Sequence, residues 1–307
     1  MNLESRFLEI KNQWRGSLEF NVNLSRYSYY QIGGPAAVLA TPKSFQDLEL
    51  LNAVLVDTGA PFFILGWGSN LLFRDEGFAG VIIRMKQLFT ECEEREAGLI
   101  HVGASLGCST LLRKAQEKGW GGLAHLTGIP GSVGGMVVMN AGTHLGEMKD
   151  ACVSVERVRL GKLKLLERET LTVQPGDFSY RHNHFLNAHD LVLSACLKIT
   201  PTDPSQVKSQ IDDLYQRRKQ TQPVEFPSCG SVFMNPQGTP LKAWQVIDQL
   251  GLRGTVAGGA QISEKHSNFI INRGSAKAAD VRKLIELVKQ KAQTELGILM
   301  KEEVKVL

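Results

Sequence analysis

Two glycine-rich stretches and a few polar side chains hold the chemistry open to this chain. The first stretch is Gly66-Trp67-Gly68-Ser69-Asn70; the second runs from His125 to Gly146, HLTGIPGSVGGMVVMNAGTHLG, with five glycines between Gly128 and Gly142. Glycine lacks a Cβ, so such positions reach positive φ and let a flat or anionic group approach the backbone. Successive N–H groups in such a loop form a concavity that suits a phosphate. Pro130 removes one donor and stiffens its turn, while Ser69 and Asn70 have short side chains that can hold a turn or touch a phosphate. A single loop of this kind reads more simply as tight turns beside a buried strand, here the apolar run Met136 to Met139. A second loop shifts the balance toward a bound anion.

Arg181 follows Tyr180 in YRHNHF, residues 180–185. An arginine stays charged at any working pH and offers a planar fork of donors to a carboxylate or phosphate, although a lone one is usually a surface residue. His182 and His184 form an H-x-H pair, but no Cys, Asp or Glu cluster completes a ligand set, so no metal site is expected. Cys229-Gly230-Ser231 sits in a turn bracketed by Pro227 and Pro236. It is not the Gly-x-Ser-x-Gly of a hydrolase elbow, and a turn serine is by default structural. Arg217, Arg218 and Lys219 close a helical stretch, where cations answer the helix dipole or meet an anionic ligand. Glu303 in the closing KEEVKV reads by default as an exposed strand glutamate.

The elements that must position these residues follow from periodicity and punctuation. Val38–Ala40, Phe62–Leu65 and Val81–Ile83 read as short strands, the second feeding straight into the first glycine loop. Between the first two strands, Ser44 caps a helix with Asp47 at the capping-box position and Gly59 as its stop. This order approaches a dinucleotide-binding start, yet SNLLFRDEGF after Gly68 lacks the third glycine and clear helix of the Rossmann fingerprint. Residues 1–25 read as a short helix and a connector, Ile100–Gly103 as a strand, and Leu111–Ala115 as part of a helix ending near Gly119. Residues 152–165 and 191–199 are strand-like, and from Pro201 the texture turns helical, which places a domain boundary near residue 200. Leu241–Leu250 reads as a short helix and residues 258–272 as a turn and strand. Ala279–Leu296 is the clearest helix, with Val281, Leu284, Ile285, Val288, Ala292 and Leu296 on one face and Gly297 as its stop; ILMKEEVKVL then reads as a strand.

Composition excludes several classes. With 307 residues and 43% hydrophobic content the chain can bury a core and divides into two or three domains. A net charge of +4 with mixed signs and no Lys/Arg block gives no basis for nucleic-acid binding. Five widely spaced cysteines without a Cys-x-x-Cys pair suit reduced thiols in a cytosol. No signal-peptide core and no run approaching the roughly 18 apolar residues of a membrane span is present, so a soluble cytoplasmic protein is expected.

Taken in order, these segments resemble the UDP-N-acetylenolpyruvoylglucosamine reductases, FAD enzymes of peptidoglycan precursor synthesis. RYSYYQIGGPA, residues 26–36, resembles that family's opening motif, and GWGSNLL its pyrophosphate loop. LTGIPGSVGGMVVMNAG is similar to its longest signature, YRHNHF to its Tyr-Arg motif, PSCGSVFMNP and GGAQISEKHSNFIIN to its substrate-domain motifs, and KEEVKV to its acid-bearing last strand. The short C-terminal portion is similar to the subtype lacking an extra tyrosine-bearing insertion.

The resemblance implies an α+β fold of the vanillyl-alcohol-oxidase/PCMH type: two subdomains clasp FAD and a smaller α+β domain holds the substrate. It implies an extension over 1–25, an FAD-binding domain over 26–200 (subdomains 26–85 and 86–200), a substrate domain over 201–300 and a strand over 301–307. By motif position Gly66, Gly68, Ser69, Asn70 and Leu71 would cradle the pyrophosphate. Gly128, Ile129, Gly131, Ser132, Gly135, Asn140 and Gly142 would line the flavin side. Arg181, Ser231 and Glu303 fall on catalytic positions, and Tyr180, Asn235, Arg217 and Arg218 on the substrate side. The implied reaction passes hydride from NADPH by way of non-covalent FAD to the enolpyruvyl carbon of UDP-N-acetylglucosamine enolpyruvate. Arg181 and a protonated Glu303 would steady the carboxylate, and Ser231 would deliver a proton. Partners are those two small molecules, with no nucleic acid, no membrane, and a monomer favoured. Three positions depart from the pattern: Asn183 for serine, Met234 for lysine, and Lys242-Ala243 for Ala-Gly. Another FAD oxidoreductase of the same fold acting on an alcohol or hydroxy acid, and a non-catalytic nucleotide-sugar-binding protein, stay open as alternatives.

Overall fold

The computed structural model describes residues 3–163 and 165–307. Two compact units emerge, one taking the chain up to Asn21 with Ala37–Trp67 and Ala79–Gln216, the other Val22–Ala36, Gly68–Phe78 and Arg217–Leu307. The division falls between Gln216 and Arg217, inside the helix Pro204–Thr221, rather than near residue 200. Val207 and Ile211 of that helix are buried in the first unit's core, so the change of texture at Pro201 marks strand giving way to helix, not a change of unit.

In the first unit a four-stranded sheet runs in the order Ser17–Asn23, Pro35–Thr41, Phe78–Arg84, Phe62–Leu65, the last two parallel with Phe62 opposite Val81. Ser17–Asn23 lies where a connector was expected; Leu18, Phe20 and Val22 are its half-buried positions, alternating with exposed ones as one covered face requires. The helix Phe45–Thr58 forms as its caps dictate. Ser44 Oγ accepts from Asp47 N–H at 3.1 Å, and the Asp47 carboxylate accepts from Ser44 and Lys43 N–H at 3.1 and 2.7 Å and from Arg15 N–H at 2.9 Å. Gly59 then takes φ 60° and ends it. Leu48, Leu51, Val54 and Leu55 pack with Val81 and Ile83 in one core.

A second, antiparallel sheet orders Glu169–Thr172, Cys152–Arg159, Asp190–Lys198, Leu99–Gly103 and Cys92–Arg95. The strand expected to reach Leu165 stops at Arg159: Gly161 turns at φ 72°, and Leu163 and Leu165 are 93% and 84% exposed. At one end of this sheet Asp190 is buried and accepts from Arg157 Nη1 at 2.9 Å, Arg159 Nε at 2.8 Å and Asn187 N–H at 2.8 Å. Burial works against its charge, but the Arg159 bond, the Asn187 N–H and the two guanidinium charges outweigh it and hold the carboxyl below its ordinary range.

The second unit carries the antiparallel strands Val256–Ala257, Ala260–Ile262 and Ile270–Asn272 with the helices Ala243–Gln249 and Ala278–Leu296. Its early segments are locked in by specific bonds. Tyr30 is fully buried and donates its hydroxyl to Ile270 O at 2.8 Å, while Asn272 Nδ2 donates to Tyr30 O at 2.9 Å. The Asp75 carboxylate accepts from Ala278 and Ala279 N–H at 2.8 and 3.0 Å, meeting donors that open the long helix. That helix ends at Gly297 with φ 67°, and its inner face holds Val281, Leu284, Ile285, Val288 and Ala292.

Candidate active site

The two glycine loops meet. A Cβ on Gly66 would lie 2.8 Å from Ser132 Oγ, so the strand Phe62–Leu65 delivers the first loop against the second with room only for hydrogen. Gly68 has φ 68°, and a Cβ there would strike Tyr27 O at 2.3 Å. Trp67 lies over Gly107, where a Cβ would be 2.3 Å from the indole. The second loop is pinned by Cys108 N–H to Gly131 O at 2.9 Å, Val133 N–H to Leu106 O at 2.9 Å and Gly134 N–H to Ala104 O at 2.8 Å. The apolar run Met136–Met139 is not on a strand: Val133–Val138 is a helix capped by Ser132, whose Oγ accepts from Gly135 N–H at 3.3 Å. Gly134 presses Ala104 so closely that a Cβ would come within 2.9 Å, and this packing overrides the low helix propensity of the glycine pair. Neither GWGSN nor GIPGSVGG carries an acid, and side-chain-free backbone with serine hydroxyls fits a diphosphate. Gly128 turns at φ 73°, Ile129 packs on the core, Gly135 is exposed, and Leu71 is buried with its backbone paired to Lys305.

Tyr180 and Arg181 form the two-residue turn between Phe178–Ser179 and His182–Asn183. Arg181 has φ 56°, a left-handed conformation that glycine usually occupies and that surrounding contacts must hold. Its Nη2 donates to Gly142 O at 2.9 Å, its Nη1 lies 3.5 Å from Glu147 Oε1, and its guanidinium sits 5.0 Å from the Tyr180 ring centroid. Behind it Asn140, fully buried at φ 40°, donates to Glu147 Oε2 and to Ser179 O, both at 2.9 Å, and accepts from Lys149 N–H at 3.0 Å. Asn183 donates to Val138 O at 2.7 Å and accepts from Leu186 N–H at 2.9 Å. His182 and His184 are exposed, and no group of three metal-binding side chains occurs among the described residues. Glu147 escaped sequence reasoning: a glutamate after a glycine looks like any solvated one.

In the second unit Ser231 and Glu303 sit on neighbouring segments. Glu303 N–H donates to Val232 O at 2.7 Å, and Asn70 Nδ2 donates to Glu303 O at 3.2 Å. Lys305 N–H returns to Asn70 O at 3.2 Å, and Lys305–Val306 pairs in parallel with Leu71–Leu72. Only those two residues form the closing strand; Glu303 precedes it and is half-buried rather than exposed. On the other side of Val232, its N–H donates to Asn268 O at 2.8 Å, Phe233 N–H to Asn268 Oδ1 at 3.0 Å, and Asn268 Nδ2 to Phe233 O at 2.9 Å. Asn235 is exposed and uses its Oδ1 to accept from Ala243 N–H at 3.1 Å, opening a helix. Arg217 is exposed near the end of Pro204–Thr221, and Arg218 is half-buried on its last turn. Cys229 is buried beside Tyr30, and burial pushes its thiol well up, leaving an inert sulfur.

Residues 222–307 match the model of the UDP-N-acetylenolpyruvoylglucosamine reductase C-terminal domain, and residues 35–162 that of an FAD binding domain. The UDP-N-acetylenolpyruvoylglucosamine reductase of Geotalea uraniireducens is 38% identical over 292 residues, 95% of this chain and 94% of the relative. The chain belongs to the UDP-N-acetylenolpyruvoylglucosamine reductase family. The reductase of Moorella thermoacetica is 39% identical over 287 residues, covering 93% and 92%. The crystal structure of UDP-N-acetylenolpyruvylglucosamine reductase (MurB) from Thermus caldophilus superposes with a TM-score of 0.78 at 35% identity, over 95% of this chain and 98% of that one. The fold is thus the FAD-binding type expected, with the family's own C-terminal domain, and FAD is its cofactor. Asn183 ties the Arg181 hairpin to Val138, Met234 donates its backbone N–H to Lys301 O at 2.9 Å, and Ala243 is fully buried.

Proposed function

We propose that this reductase converts UDP-N-acetylglucosamine enolpyruvate to UDP-N-acetylmuramate, with NADPH as hydride donor, in the cytoplasm and as a monomer. When bound, FAD supplies two-electron hydride chemistry between NADPH and the enolpyruvyl double bond. Saturating that bond requires a hydride at the terminal carbon and a proton at the carbon α to the carboxylate. Negative charge builds on the carboxylate oxygens meanwhile, so fixed donors aimed there lower the barrier most. Arg181 serves that end: its strained backbone, Gly142 O and Glu147 restrict where the guanidinium can go. Glu303, protonated, donates to the same oxygens, and Ser231 hands its hydroxyl proton to the α carbon and regains one from solvent. Tyr180, Asn235, Arg217 and Arg218 contact the nucleotide sugar. Gly66, Gly68, Ser69, Asn70 and Leu71 hold the diphosphate of FAD, and Gly128, Ile129, Gly131, Ser132, Gly135, Asn140 and Gly142 form the flavin side.

The observation that carries this reading is the backbone joint between the Ser231 and Glu303 segments, with Asn70 bonded to the carbonyl of Glu303. Among the described residues no helix is long and apolar enough to cross a membrane. One spectrophotometric titration tests the assignment. The protein is expected to be yellow, to bleach with NADPH, and to regain its colour on adding the enolpyruvyl nucleotide sugar without oxygen. Failure to take up FAD would refute it, as would bleaching by an alcohol or hydroxy acid with no response to the nucleotide sugar.

A further inference from the structure

We propose that Asn268 is a positioning residue for proton delivery: its carboxamide fixes the Val232–Phe233 segment and thereby Ser231 and Glu303. The proposal rests on the roles just given to those two residues. Asn268 is 5% exposed, and its side chain meets both polar groups of Phe233, which is itself 1% exposed. Oδ1 accepts from Phe233 N–H at 3.0 Å and Nδ2 donates to Phe233 O at 2.9 Å; turning the amide over would set donor against donor and acceptor against acceptor. The backbone of Asn268 adds a third bond, accepting from Val232 N–H at 2.8 Å. One residue thus acts as a short artificial strand along the two residues that follow Ser231.

From the opposite side Val232 O accepts from Glu303 N–H at 2.7 Å and Val304 N–H at 3.3 Å, and Phe233 bridges Glu302. The Val232–Phe233 segment is therefore held between Asn268 and the Glu303 segment, and any slip of one side moves Ser231 relative to Glu303. A neutral hydroxyl is a weak acid whose usefulness depends on placement, and a misplacement of about 1 Å can cost about 10²-fold in rate. Neither shape alone nor an acceptor alone replaces this amide. Leucine has nearly its shape but leaves a buried N–H and C=O unmet, and an ionised aspartate turns the donor facing Phe233 O into a second acceptor.

The test uses holoenzyme carrying Asn268→Leu or Asn268→Asp, with flavin bleaching by NADPH and colour return with the nucleotide sugar followed separately by stopped flow. Bleaching is expected to stay within about twofold and colour return to slow by about 10- to 100-fold, with KM for the nucleotide sugar within about threefold. The Asp variant is expected to recover as pH falls, because its protonated carboxyl again donates to Phe233 O. Should Asn268→Leu not fold, the Asp variant at low pH carries the test. In a Ser231→Ala background, adding Asn268→Leu is expected to slow colour return by less than about threefold, since the two act as one unit. Equal slowing of both half-reactions, unchanged colour return in folded variants, or a full multiplicative loss in the Ser231→Ala background would overturn the proposal. Should Ser231→Ala itself leave colour return intact, the role of Ser231 fails and this inference with it. A slow Ser231→Ala beside normal Asn268 variants sinks the inference alone.

Discussion

Replacing Asn140 by aspartate sets a second carboxylate against Glu147, behind the hairpin that carries Arg181. The donor now 2.9 Å from Glu147 Oε2 becomes an acceptor, and Ser179 O loses its partner at 2.9 Å. Two unit charges about 4 Å apart repel by about 4 kcal/mol at an effective dielectric near 20. Lys149 Nζ at 3.0 Å and Arg181 Nη1 at 3.5 Å from the Glu147 carboxylate offset part of this. The orphaned carbonyl adds about 1 kcal/mol or more, so a net loss of about 3 kcal/mol is expected at pH 8. Like charges raise the pair's proton affinity in the folded state, so the folded variant binds more protons than the unfolded one above the ordinary carboxylate pKa of about 4. Its stability therefore falls as pH rises through that window and recovers on acidification. Urea unfolding at pH 5 and pH 8, with Asn140→Ala as the uncharged control, reads this directly. A variant as stable as the parent at pH 8, or a penalty of the same size at pH 5 as at pH 8, would refute the reasoning.

Three further outcomes follow from the same geometry. Gly107→Ala suits its backbone, φ −72° and ψ 143°, but pushes the Trp67 indole, so FAD affinity is expected to fall about tenfold or more, about 1.4 kcal/mol, with little change in unfolding midpoint; equilibrium dialysis measures it. Arg181→Lys keeps the charge but loses the fork, and is expected to slow substrate reduction by about 10²-fold while flavin bleaching by NADPH stays normal in stopped flow. Asp190→Asn takes the carboxylate from Arg159 and from Arg157, which keeps Glu169 at 2.6 Å, and is expected to cost about 1.5–3 kcal/mol at pH 7 through the lost charged bond to Arg157. Because the folded carboxyl lies below its ordinary value, that contribution is present above the unfolded pKa near 3.9 and is lost as pH falls through the folded value, so parent and variant should converge on acidification of a thermal-unfolding series.

Much of the fold was legible where local chemistry decides it. Ser44 with Asp47, Gly59 and Gly297 marked helix ends because capping and left-handed glycine act over a few residues. Met136–Met139 misled because four apolar residues show no period, and the helix there is imposed by Gly134 packing on Ala104. The strand Ser17–Asn23 carries a plain period of two, Leu18, Phe20 and Val22 alternating with the polar Glu19 and Asn21, so the connector expected there misjudges a pattern that the sequence does hold. The site was legible as a set of motifs, yet its supports were not. Glu147 and Asn268 matter through partners 34 and 35 positions away, Arg181 and Phe233, and no local pattern reports such bonds. The positive φ of Arg181 was equally hidden, since nothing about an arginine advertises it.

The second unit is stitched from three separated stretches, and this bears on how the protein is made. Tyr30, Ile32 and Leu72 are buried among side chains that lie beyond residue 228, and the Asp75 carboxylate waits for a helix beginning at Ala278. A nascent polypeptide that has left the ribosome as far as Gln216 therefore carries those side chains with nothing to cover them, and closes their loop of some two hundred residues only late in synthesis. A fragment starting at Arg217 meets the converse difficulty, missing the aromatic plug and the helix-opening acid it needs to collapse.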